Sequence, residues 1–85
     1  MNKEKLRKLK EEIEFRFGWF VSARVLVEKR YRLSILIFFH SFDNKDLQKI
    51  MEIIEEAGFE ITFWNITTYG DFFLLDIDFK EASEE

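Results

Sequence analysis

Hydrophobic residues recur every three or four positions along two stretches of this chain and crowd four shorter stretches between them. Leu6, Leu9, Ile13 and Phe17 fall on one stripe of a helix expected from about Lys3 to Phe17. Leu47, Ile50, Ile54 and Ala57 form the matching stripe of a second helix, from about Asn44 to Ala57. Gly18 and Gly58 stand where a helix stops, and Asp43 or Ser41 stands where the second helix needs a cap. The remaining stretches read as strands: Trp19 to Glu28, Tyr31 to Phe39, Phe59 to Thr68 and Phe72 to Phe79.

The order αββαββ predicts a two-layer α+β sandwich, with a four-stranded antiparallel sheet and both helices on one face. The arrangement that fits best is a circularly permuted ferredoxin-like fold with sheet order β1-β2-β4-β3. Leu33 to Phe39 and Phe72 to Phe79 are the most apolar strands and belong in the centre, whereas Arg24, Glu28, Asn65 and Thr67 suit edge strands. Internal similarity supports the same plan. Leu6, Leu9 and Ile13 recur as Leu47, Ile50 and Ile54, and Leu33, Ile35, Ile37 and Phe39 recur as Phe73, Leu75, Ile77 and Phe79. The chain is therefore read as one domain over 1–85, with repeat halves at 3–39 and 43–79 and a frayed acidic tail at 80–85.

Alternation along each strand divides the sheet into two faces. Under the helices go Trp19, Val21, Ala23, Val25 and Val27; then Leu33, Ile35, Ile37 and Phe39; then Phe59, Ile61, Phe63, Phe73, Leu75, Ile77 and Phe79. The other face is not polar as it should be. A three-residue turn at Thr68-Tyr69-Gly70, copied into the first hairpin by the repeat, gives four rows across it. The first two are Phe20–Phe38–Phe72–Ile66 and Ser22–Leu36–Leu74–Trp64. The other two are Arg24–Ser34–Asp76–Thr62 and Leu26–Arg32–Asp78–Glu60. Two helices cannot cover both faces, so Phe20, Leu36, Phe38, Trp64, Ile66, Phe72 and Leu74 are expected to form an interface. Arg24, Arg32, Asp76 and Asp78 would supply its charge pairs.

Charge sharpens that expectation. The net charge of −4 is the sum of +5 over residues 1–40 and −9 over residues 41–85. A basic half and an acidic half can meet across a two-fold axis, so the favoured partner is a second copy of the chain. The expected role is binding, as an assembly subunit, adaptor or inhibitor. Other uses of the same face have less behind them. Phe20, Phe38, Phe72 and Trp64 as stacking platforms, with Arg24, Lys29, Arg30 and Arg32 for phosphates, resemble in outline the sheet of an RNA-recognition domain. That resemblance implies single-stranded nucleic-acid binding, although Glu60, Asp76 and Asp78 would repel phosphate and no stretch matches the family's strand motifs. Small-ligand binding on the sheet is a further alternative.

Catalysis finds little support. The sole histidine, His40, has only Ser41 and Asp43 as chain neighbours, and Asp76, Asp78 and Glu60 have arginines for company rather than a cation. No enzyme, cofactor or metal is expected. The basic run Lys3, Lys5, Arg7, Lys8 and Lys10 reads as a solvated helix face offset by Glu11, Glu12 and Glu14 at i,i+4. The chain has no cysteine, no signal-like start and no apolar run of membrane-spanning length, so a cytoplasmic protein is expected. Abundant Lys, Glu and Arg with a single Gln resemble thermophile usage.

Overall fold

The computed structural model describes residues 2–27, 29–38 and 42–82. Its elements are α1 (Asn2–Phe17), β1 (Phe20–Val27), β2 (Arg30–Phe38), α2 (Asn44–Glu56), β3 (Phe59–Tyr69) and β4 (Phe72–Glu81). The strands form one antiparallel sheet in the order β1-β2-β4-β3, and both helices pack on the same side of it. This is the α+β sandwich that the αββαββ order predicts. Phe39, His40, Ser41, Glu28 and the end of the tail (residues 83–85) lie outside the described residues, so the expectations attached to them find no answer here.

Local chemistry sets the helix ends. At the start of α2, the Asp43 side chain accepts from the amides of Lys45 and Asp46 at 2.8 and 3.2 Å, and Asp46 returns the bond to the Asp43 amide at 3.1 Å. This reciprocal capping box closes amides that would otherwise lack partners. At the end of α1, Gly18 takes a φ of 72° and its amide donates to the Glu14 carbonyl at 2.8 Å. That is the left-handed stop a glycine allows without steric cost. Along α1, Arg7 lies within 3.1 Å of both Glu4 and Glu11 and Lys10 at 2.8 Å from Glu14, but Glu12 pairs with Arg16 at 3.5 Å rather than with Lys8.

The core lies between the helices and β2 and β4. Ile13, Leu33, Ile35, Ile37, Ile50, Ile54, Leu75 and Ile77 have no exposed surface, and no polar or charged residue is buried among the described residues. Tyr31 joins them as an addition that the sequence did not place in the core. Its ring packs 5.7 Å from both Phe59 and Phe79, and its hydroxyl donates to Glu81 at 3.3 Å. Trp19 closes one end of the core, stacked on Phe17 at 4.6 Å and reaching Phe73 through Phe42.

Several expectations about the edges need correction. Val25 and Val27 were assigned to the core, yet they are 47% and 61% exposed. A bulge between them inserts Leu26, so that Val27 pairs with Arg30 and its side chain changes face. The β1–β2 register is also shifted by two residues, Phe20 lying opposite Leu36 rather than Phe38: the tighter turn at Lys29, with a φ of 60°, accounts for one step and the bulge for the other. Lys80 and Glu81, read as the start of a frayed tail, instead extend β4, paired to Glu60 and Phe59, and Ala82 donates to the Gly58 carbonyl at 3.0 Å. The two halves share an order of elements, but their bulges fall at non-equivalent positions.

These placements have measurable consequences. Ile35→Ala should lower unfolding free energy by about 2–5 kcal/mol, as expected for a fully buried aliphatic side chain. Val25→Ala, on the core side but half exposed at the sheet edge, should change it by less than about 1 kcal/mol in the same urea titration; equal losses would mean that Val25 is buried. Asp43→Ala should remove roughly 1 kcal/mol through the lost cap on α2, read in the same way.

Candidate functional site: the open face of the sheet

Which side chains reach the uncovered face is decided in β3. Phe59 and Ile61 pair with Glu81 and Phe79, and Ile61 faces the core as alternation predicts. The register then slips: Thr62 is an extra residue, and Phe63 pairs with Asp78. The Thr62 hydroxyl secures the bulge by donating to the Asp78 carbonyl at 3.2 Å. Beyond it every residue of β3 has changed face, since strand side chains alternate with a period of two. Phe63, Asn65, Thr67 and Tyr69 now share the open face with Asp78, Asp76, Leu74 and Phe72.

Trp64 and Ile66 are therefore not where the sequence puts them. They pair with Ile77 and Leu75 on the helix side, still 44% and 36% exposed. Phe63, assigned to the core, is 58% exposed on the open face. The turn reveals the cause. The loop is the two-residue Gly70-Asp71, with Gly70 first at a φ of 56°, so Tyr69 pairs with Phe72. An odd pairing sum at the turn and an even one at Ile61–Phe79 cannot both hold on an unbroken ladder, and the bulge resolves the conflict. A Gly-first two-residue turn was the signal in the sequence that could have exposed Tyr69 and Phe63 as face residues.

The observed face consists of ordered rows. At one end Phe38, Phe72 and Tyr69 lie side by side, with the Phe38 and Phe72 rings 4.6 Å apart. Next comes Phe20–Leu36–Leu74–Thr67, with Phe20 77% exposed. Five of the seven expected interface residues are thus together: Phe20, Leu36, Phe38, Phe72 and Leu74. The third row is Ser22–Ser34–Asp76–Asn65, in which the Ser34 hydroxyl donates to Asp76 at 2.7 Å. The fourth is Arg24–Arg32–Asp78–Phe63.

Within that fourth row the two inner residues satisfy each other. Arg32 donates from Nε and Nη2 to the two Asp78 oxygens at 2.7 and 3.0 Å. This fork raises the Arg32 pKa above its ordinary value, first through the hydrogen bond and then through the charge of Asp78. Arg24 lies directly opposite Arg32, an unfavourable like-charge pairing, and has no carboxylate partner among the described residues.

The acidic side chains in and near these rows already have partners. Asp43 is engaged in capping α2, Asp78 in holding Arg32, and Asp76 in accepting from Ser34. Among the described residues, no three His, Asp or Glu are grouped to hold a metal ion, and no helix is long and apolar enough to cross a membrane. A shallow depression of about 260 Å³ on the β1 side is lined by Phe20, Ser22, Ser34, Leu36 and Leu74, with Glu14 and Val21 at its margin. It is smaller and more open than the clefts that enclose drug-sized ligands. No protein-family model, curated protein or solved structure matches the chain.

Proposed function

We propose that this protein is a non-enzymatic interaction module that self-associates through the open face of its sheet, serving as an assembly subunit, adaptor or inhibitor. The observation that carries the reading is the contiguous apolar end of that face: Phe20, Leu36, Phe38, Phe72, Leu74 and Tyr69. Such a surface is stabilised by removal from water, and monomers rarely keep a large one exposed. Charge supports a second copy as its cover. On this face β1 and β2 contribute Arg24, Arg30 and Arg32, whereas β3 and β4 contribute Glu60, Asp76 and Asp78 alongside Lys80. Each half offers what the other half of a second copy lacks.

The nucleic-acid alternative is weakened by the same geometry. Its stacking platform loses Trp64 to the other side of the sheet, and Asp76 and Asp78 stay beside the remaining aromatics. Phosphate would meet carboxylates there.

Light scattering after size exclusion should give twice the 10.4 kDa chain mass at micromolar concentration. A monomer would sink the proposal. Leu36→Lys should split the dimer by placing a charge in the apolar row. Trp64→Lys, on the opposite side of the sheet, should leave it intact, with far-ultraviolet circular dichroism confirming that both variants fold. Salt-sensitive binding of a single-stranded oligonucleotide by a monomer would favour the alternative.

A further inference from the structure

We infer that the two copies are related by a two-fold axis running along the strands between β2 and β4, so that Arg24 of each copy meets Phe63 of the other. This rests on the self-association proposed above and specifies its geometry. The fourth row provides the reason. Arg24 and Phe63 stand at its two ends, on opposite edges of the sheet, with the closed Arg32–Asp78 pair between them. Arg24 has no carboxylate, and Phe63 makes no ring contact among the described residues although it is 58% exposed. Three strand spacings, about 14 Å, keep them apart within one copy. A cation and an aromatic face are complementary once they are brought together.

Only one of the two simple face-to-face arrangements does this. An axis along the strands lays β1 of one copy over β3 of the other and keeps every row over its own counterpart. Phe20 then covers the Thr67 and Tyr69 end of the second copy, and the basic strands cover the acidic ones. An axis across the strands lays β1 over β1 and β3 over β3. With the apolar rows in contact, that arrangement slides the charged rows off the partner's end and leaves Arg24 and Phe63 uncovered. Only the first arrangement sets Arg24 over Phe63 and Arg32 over Asp78 of the second copy, so it is favoured. Packed sheets tolerate the modest angle between strand directions that twist imposes.

The absence of cysteine makes the geometry directly measurable. Ser22→Cys and Asn65→Cys sit at the two ends of the third row and leave Arg24 and Phe63 untouched. A bis-maleimide of about 10 Å reach, the spacing of packed sheets, should join the two variants when they are mixed and join neither to itself. Cross-linking of Ser22→Cys to itself would exclude the axis along the strands and overturn the inference. A dimer by light scattering with no cross-link in the mixture would also overturn it, leaving the proposed face standing. A monomer would overturn both. As a second measurement, Arg24→Ala should raise the dimer dissociation constant roughly five- to thirty-fold, two contacts being lost per dimer. Phe63→Ala added to Arg24→Ala should have little further effect, whereas fully independent losses would count against the contact.

Discussion

The two ends of β3 answer to different constraints, and one extra residue reconciles them. At its start, Phe59 and Ile61 must lie under α2, where Phe59 is buried beside Tyr31 and Phe79. At its end, the Gly70-Asp71 turn fixes Tyr69 opposite Phe72. These demands differ by one residue, and strand side chains alternate with a period of two, so Thr62 must stand outside the ladder. The composition of the open face follows from that insertion. It exchanges Trp64 and Ile66 for Phe63, Asn65, Thr67 and Tyr69, and it sets an aromatic ring at the end of the row that begins with Arg24.

Much of the fold was legible because its strongest signals are periodic and long. The stripes of Leu6, Leu9 and Ile13 and of Leu47, Ile50 and Ile54 define the helices, and the density of Leu33–Ile37 and Leu75–Phe79 defines the central strands. Those strands are regular, so alternation places their side chains correctly and Leu36 faces Leu74. The errors of facing lie in β1 and β3, where a bulge changes the face of everything beyond it. Periodicity carries no trace of such an insertion when both faces are apolar. In β3, Phe63 and Trp64 are interchangeable to a hydrophobic pattern, and only turn chemistry distinguishes them. Tyr31 was missed for a related reason, since its hydroxyl suggests a surface residue until Glu81 supplies a partner.

On the open face, two rows of the sheet's midline pair polar groups directly, although Arg30 stands opposite Lys80 beyond them. Across β2 and β4, Arg32 meets Asp78 and Ser34 meets Asp76. These contacts join residues 42 and 46 positions apart in sequence, so they favour the observed register of the two central strands over a slip in either direction. At the edges, Arg24, Phe20, Phe63 and Tyr69 have no comparable polar partners among the described residues. Being partly exposed, the central ion pair adds specificity more than stability.

Both bulges lie on edge strands, and this placement has a physical basis. A residue inserted into β2 or β4 would disrupt two ladders at once and displace side chains that have no exposed surface. In β1 or β3 it disrupts one ladder and leaves the outer backbone groups facing water. The same insertion protects the edge. Residues 61–69 form a long strand without a single charge, a sequence prone to pairing with other strands. A bulge near its start increases the local twist and spoils the flat template that such pairing needs. Thr62 thus settles which side chains reach the open face and also makes the neighbouring edge a poorer template for strand pairing.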